Sequence, residues 1–180
     1  MRIINGKHKG KRLYPPKNLP VRPTTDFAKE GLFNVLRNRI DIEALSILDL
    51  CAGTGSMTFE FASRGASSIL SVDLNFGCVK YIKEQAKELG YDGIRCVKSD
   101  LFQFVKKVGG SYDLIFADPP YALEGVENLP DLLLAKNILN EDGLLILEHG
   151  KQHHFEEHPQ FLLSKTYGNV NFTFFEPVSS

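Results

Sequence analysis

The sequence predicts an α/β domain built on a doubly wound, mostly parallel, Rossmann-like sheet with an antiparallel C-terminal edge. Three observations predict it. Beyond residue 25, short apolar runs alternate with stretches whose apolar residues recur at helical spacing. One of these runs opens into a glycine turn followed by a helical pattern. The last two runs, Phe161 to Tyr167 and Val170 to Phe175, are joined by Gly168-Asn169, which is hairpin chemistry.

Each element has its own warrant. Thr24 or Thr25 can cap a helix, and Asp26 suits its first turn. That helix runs to about Asn38, with Ala28, Leu32, Val35 and Leu36 on one face. Ser46 to Leu50 is a short strand. Cys51-Ala52-Gly53-Thr54-Gly55 turns out of it, and a helical pattern runs from Ser56 to about Arg64. Ser68 to Val72 is the second strand and ends in Asp73; Val79, Ile82, Ala86 and Leu89 stripe the next helix. Gly93 to Lys98 is the third strand, leading to Ser99-Asp100-Leu101. Tyr112 to Ala117 reads as a buried strand, 125–138 as a helix, and Leu144 to Glu148 as another buried strand.

Composition bounds the function. A chain of 180 residues predicts one domain with a real core. No apolar run approaches the ~20 residues that span a membrane, and Met1 to Gly6 lacks a signal peptide's apolar stretch. Cys51, Cys78 and Cys96 are isolated, as expected of reduced thiols in the cytoplasm. The net charge of −1 hides an asymmetry. Residues 1–22 hold Arg2, Lys7, Lys9, Lys11, Arg12, Lys17 and Arg22 and no acid, which leaves 14 of the 21 bases against all 22 acids in the remainder. Arg2-Ile3-Ile4 and Arg12-Leu13-Tyr14 flank Asn5 to Gly10, so this segment is expected to be a basic hairpin extension with a linker, ahead of a catalytic domain from 23 to 180. Pro15-Pro16 and Pro20 stiffen the linker. A basic edge on an acidic domain points to a polyanion partner. Were the segment only a solvated extension, recognition would be sought around Arg22 and Lys29.

Three acids, Asp49, Asp73 and Asp100, fall at the carboxyl ends of successive strands. Gly53 and Gly55 let the backbone approach a ligand there. Asp73 can accept both hydroxyls of a ribose, and Asp100 is placed to take an adenine amine. A nicotinamide dinucleotide would need a third glycine, but Gly53-Thr54-Gly55 continues Ser56-Met57-Thr58, and an acid on the first strand repels pyrophosphate. An acidic crevice suits a cofactor with a sulfonium and an ammonium, S-adenosylmethionine.

The chemistry is carried by Asp118-Pro119-Pro120-Tyr121, at the end of the fourth strand. Prolines fix φ and remove donors, leaving carbonyls to accept. Asp118 and the Pro119 carbonyl can take the two hydrogens of a base amine while Tyr121 stacks on the base. Two such acceptors favour a pyramidal nitrogen whose lone pair attacks a methyl group, and so stabilise the charge that develops. A Pro-Pro turn that merely ends a strand is the alternative. His149, His153, His154 and His158 lack a carboxylate-histidine signature and are expected to be isolated surface residues away from the crevice, so no metal is expected.

With these pieces placed, the chain resembles the RsmD-type 16S ribosomal RNA guanine-N2 methyltransferases, class I S-adenosylmethionine-dependent enzymes. The likeness rests on Met1 to Gly10, Arg22-Pro23-Thr24-Thr25-Asp26, Leu32-Phe33-Asn34, Leu48 to Gly55, Asp118 to Tyr121 and Glu148-His149. Phe27 and Lys29 stand where that family often has arginines, and Cys51 where it often has phenylalanine. The resemblance implies methyl transfer to the N2 amine of one guanine of 16S rRNA, in an assembled or assembling small subunit, by a cytoplasmic monomer. It implies that Thr24 closes over the methionine end of the cofactor and that Leu101 contacts adenine. Lys7, His8, Lys9, Lys11, Arg12 and Arg22 would grip RNA, and the target guanine must be unstacked to reach Asp118. The alternatives are a DNA adenine or cytosine amino-methyltransferase, which usually carries a larger target-recognition insert, and a non-catalytic RNA-binding relic of the fold.

Overall fold

Apolar, β-branched runs too short to be helices form the sheet, and the striped segments between them cover it on both sides. The computed structural model describes residues 1–21 and 24–177; Arg22, an expected RNA contact, lies outside the described residues. The elements are α1 (Asp26–Leu36), β1 (Ser46–Leu50), α2 (Ser56–Ser63), β2 (Ser68–Asp73), α3 (Phe76–Leu89), β3 (Ile94–Lys98), α4 (Leu101–Lys107), β4 (Tyr112–Ala117), α5 (Leu129–Leu134), β5 (Leu139–His149), β6 (Phe161–Tyr167) and β7 (Val170–Phe175). The seven strands lie in the order β3-β2-β1-β4-β5-β7-β6. The first five are parallel; β7 joins β5 antiparallel and β6 joins β7 antiparallel. The expected class and the C-terminal hairpin are therefore both present.

Two cores sandwich the sheet. One joins Leu32 and Leu36 of α1 to Phe61, Phe116, Phe172 and Phe174. The other joins Leu48, Leu50, Ile115 and Leu147 to Leu101, Leu129 and Leu133 of α4 and α5. Of the two candidate caps, Thr25 caps α1, accepting from Ala28 N at 3.2 Å. Two expectations need correction, and one element is additional. The helix expected over 125–138 is a 3₁₀ turn (Val126–Asn128) and the six residues of α5, because Pro130 starts a new first turn and Asn137 turns to φ 51. β5 begins at Leu139, well before the apolar run, since polar Asn140, Glu141 and Asp142 are also extended. α4 was not expected at all. Among the described residues, no helix is long and apolar enough to cross a membrane.

The N-terminal segment is stitched to the body. Arg2 and Arg12 form an antiparallel bridge, and Ile3 and Leu13 are buried against Phe59, Val79 and Ile82. At its tip Gly6 has φ 82, and a Cβ there would lie 1.8 Å from Ser63 O, so no side chain fits. The tip therefore packs at the C-terminal end of α2, with Lys7 N and His8 N both bonded to Ser63. Lys29 is buried at 1% exposure, ion-paired with Glu60 and bonded to Arg2 O at 2.6 Å. It is a structural cation and is closed to RNA.

Candidate active site

Register places the site. Leu50 of β1 lies opposite both Val72 of β2 and Ala117 of β4, and Ala117 lies opposite Leu147 of β5. The residues just beyond these ranks, including Asp73, Asp118 and Glu148, thus emerge in a row from neighbouring strands. The strand order reverses between β1 and β4, and at such a switch point the flanking loops part to leave a crevice.

The cofactor half is a tightly wound turn. Cys51, Gly53 and Gly55 have φ of 59, 56 and 82. A Cβ on Gly55 would sit 2.9 Å from both Ile82 and the Phe59 ring, so that position admits only glycine. Ala52 N bonds to Val72 O and Gly53 N to Asp73 Oδ2 at 2.8 Å, while Asp73 Oδ1 takes Asn75 N at 2.8 Å. Each carboxylate oxygen of Asp73 keeps a further lone pair for a hydroxyl. Asp100 caps α4 through Gln103 N at 2.9 Å, and Leu101, the first residue of that helix, is buried in the core beneath.

Asp49 is buried. Its Oδ2 accepts from Thr58 Oγ1 at 2.5 Å, and its Oδ1 has no hydrogen-bond partner among the described residues. Burial pushes its carboxyl up to about 7, with Asp73 adding to the rise and Thr58 opposing it. The thiol of Cys51 reports the same field. Burial raises it most, and then Asp118, Asp73, Asp49 and Asp100 in that order. Four acids thus act on one point, a site shaped for a cation. An orphaned buried acceptor and closely approachable backbone fit the amino-acid end and sulfonium of S-adenosylmethionine.

The rise at Asp49 has a measurable consequence. Its folded pKa exceeds the ordinary 3.8, so the folded state holds a proton that the unfolded chain has lost. Its contribution to stability is full below about pH 4 and is lost as pH rises to about 7, at about 1.4 kcal/mol per unit. Asp49→Asn is expected to remove that slope in urea melts taken across this window. Parallel slopes in the two proteins would show an ordinary carboxylate.

The segment expected to form the ledge follows β4. Asp118 N continues the β1–β4 ladder to Leu50 O at 3.1 Å, and Leu123 N bonds to Pro120 O at 2.8 Å. The turn thus engages the Pro120 carbonyl. Tyr121 is 37% exposed, its ring available at the mouth. Its hydroxyl donates to Glu148 Oε1 at 3.2 Å, and its carbonyl accepts from Gln152 Nε2 at 2.8 Å. Asp118 is held well above the ordinary carboxylate range by burial, then by Glu148, then by Asp49. Cys51, Glu148 and Gln152 carry no role in the sequence reading. Glu148 had a signal: it ends the strand next to Asp118, in the same rank.

Of the four histidines, His154 is exposed as expected and His149 needs correction. His149 is buried, bonded to Gly150 O at 2.9 Å and Thr173 Oγ1 at 2.8 Å, and burial lowers its pKa. It follows Glu148, so it lies beside the crevice strands. Among the described residues, no three His, Cys, Asp or Glu group in a way that could hold a metal ion.

The remaining expected residues are divided between two places. The linker packs against the glycine turn and the start of α3. Val21 Cγ1 would lie 3.4 Å from a Cβ on Gly53, and Leu19 Cδ2 2.7 Å from one on Gly77. Thr24, three residues on and half-buried, is within about 11 Å of that point by chain length. Lys7, Lys9, Lys11 and Arg12 are exposed. Lys11 is 3.9 Å from Glu88, and His8 is half-buried with Nδ1 2.6 Å from the Tyr91 hydroxyl. Burial, Lys7 and Lys11 lower the His8 pKa. The hairpin tip sits at the far end of α2 from Gly55, so the eight residues of that helix separate it from the crevice by about 12 Å.

Known proteins resemble this chain in sequence and in fold. A curated relative, ribosomal RNA small subunit methyltransferase D of Buchnera aphidicola, is 30% identical over 148 residues, 82% of this chain and 75% of the relative. The structure of the Escherichia coli protein yhhF superposes with a TM-score of 0.86 at 25% identity, covering 100% of this chain and 99% of that one. The Thermus thermophilus 16S rRNA N2 G1207 methyltransferase, solved with AdoMet and guanosine, shares the fold at 18% identity and TM-score 0.69, covering 88% of this chain and 45% of that one. Residues 1–176 match one family model, basic hairpin and ledge included, and the chain belongs to the family described as conserved hypothetical protein 95.

Proposed function

We propose that this protein transfers a methyl group from S-adenosylmethionine to the exocyclic N2 amine of a guanine in small-subunit ribosomal RNA. The observation that carries the reading is the Asp118-Pro119-Pro120-Tyr121 ledge standing beside an acidic crevice at the sheet's switch point. When bound, the cofactor supplies a methyl group made electrophilic by its sulfonium. Asp73 accepts the ribose hydroxyls, Asp49 Oδ1 the ammonium, and Asp100 the adenine amine, with the first-turn N–H of Leu101, which has no partner within its helix, beside it. Thr24 and the linker close the methionine end. Asp118 and the Pro119 carbonyl accept the two amine hydrogens, and Tyr121 stacks on the guanine. A ribosomal RNA substrate is supported by the name of the Buchnera relative, and a guanine N2 target by the Thermus enzyme at the level of fold. The short path from Tyr121 to β5, one 3₁₀ turn and a six-residue helix, leaves little room for the recognition insert of a DNA enzyme.

The hairpin tip, about 12 Å from the crevice, suits phosphates remote from the target nucleotide. Structured RNA in an assembled or assembling subunit offers both at once. The protein acts on it in the cytoplasm, as a monomer. Nucleoside mass spectrometry of RNA from 30S subunits incubated with protein and cofactor tests the reading. 2-Methylguanosine is the expected product, and methyladenine in DNA with none in ribosomal RNA would refute it. Neutralising Lys7, Lys9, Lys11 and Arg12 together is expected to flatten the slope of log K against log salt by about 3. Identical slopes would remove the hairpin from RNA binding.

A further inference from the structure

β4 and β5 run parallel and in register, Ala117 opposite Leu147. The next residues, Asp118 and Glu148, therefore stand side by side on strands about 4.8 Å apart, with side chains leaving on the same side. Glu148 is only 5% exposed, among apolar neighbours of the strand end, and the Tyr121 hydroxyl donates to its Oε1. A carboxyl buried there costs stability unless hydrogen bonds offset it. We propose that Glu148 is a positioning residue of the transfer site, holding the Asp118 carboxyl on one side and the Tyr121 hydroxyl on the other, so that amine acceptor and stacking ring form one rigid unit. This rests on the methyltransferase reading and adds a residue to it.

Burial first and then Glu148 hold the Asp118 carboxyl well above its ordinary range, which favours one proton shared between the two neighbouring groups. The pair then carries a single negative charge and still offers an acceptor oxygen to the amine. The other groups facing it are Asp49 from β1, Cys51 from the glycine turn and Tyr121 from the ledge.

Two variants separate this role from a packing role. Glu148→Gln keeps the shape, can donate to Asp118 and can accept from Tyr121, but removes the like charge. It is expected to retain most turnover while the acid limb of the kcat–pH profile moves down by about one unit or more. Glu148→Ala removes both contacts and is expected to lower kcat about tenfold or more, with KM for S-adenosylmethionine unchanged. Tyr121→Phe leaves the core intact and loses only the hydroxyl, so its kcat should also fall. Normal turnover in Glu148→Ala or in Tyr121→Phe would overturn the proposal. So would equal losses in the Gln and Ala variants with an unmoved acid limb. Carbon-13 titration of the Asp118 carboxyl, which needs no RNA, should give a lower midpoint in Glu148→Gln; an unchanged midpoint overturns the pairing. Wild-type protein that fails to methylate guanine would sink the proposed function instead, leaving that titration to decide the pair.

Discussion

Replacing Asp118 with alanine is expected to cut methyl transfer about 10²–10³-fold while cofactor affinity holds. The side chain acts where charge develops, because the amine gains positive character only as its lone pair reaches the methyl group. An acceptor on the departing hydrogen therefore stabilises the transition state more than the bound ground state. Backbone placement does not depend on that carboxyl, since Asp118 N bonds to Leu50 O. The groups assigned to the cofactor, Asp49, Asp73 and Asp100, belong to other strands and turns and keep their own partners. Single-turnover methylation of 30S subunits, paired with calorimetry of cofactor binding, measures both arms. Asp118→Asn should lose less, because its amide can donate to Glu148 while its Oδ1 still accepts from the amine. A near-normal rate in Asp118→Ala would move the transfer site away from the ledge.

The strands and glycine turn were legible because their signals are local. Ser46–Leu50, Tyr112–Ala117 and the Phe161–Phe175 hairpin have the bounds that apolar runs and turn residues indicate. α4 was not, since seven residues hold too few turns for a stripe and Asp100, its cap, stands where a strand-end acid also suits a ligand. The positions of three acids near strand ends were legible for the same local reason: Asp49 and Asp73 lie in the last two residues of β1 and β2, and Asp100 two residues past β3. Glu148 was not given a role because its partner, Asp118, is 30 positions away and meets it only through the β4–β5 register. Lys29 shows the opposite failure. A lysine on a capped helix beside a basic segment looks like an RNA contact, and only the fold reveals that α1 turns it inward onto Glu60.

Glu60 gives the largest expected loss of stability. It is fully buried, and four groups converge on its carboxylate. Ile4 N lies at 2.9 Å and Asn5 N at 3.1 Å, Arg64 bonds at 3.0 and 2.9 Å, and Lys29 Nζ stands 3.6 Å away. Burial lowers the Lys29 pKa, and Glu60 is the largest effect opposing that fall. Glu60→Ala therefore strands a buried ammonium, with the Arg2 carbonyl still beside it, and frees the hairpin's two N–H groups. Removing one partner of a buried pair costs about 3–5 kcal/mol. Urea unfolding at pH 7 measures this, and a loss below about 1 kcal/mol would show that water or rearrangement supplies the missing acceptor. The double variant Lys29→Met, Glu60→Leu removes both charges and is expected to lose much less than the sum of the two single changes. The crevice is untouched in either case, so cofactor affinity per folded molecule should hold. The hairpin's hold on α2 should weaken, and with it any RNA affinity that depends on Lys7 and Lys9 being fixed in place.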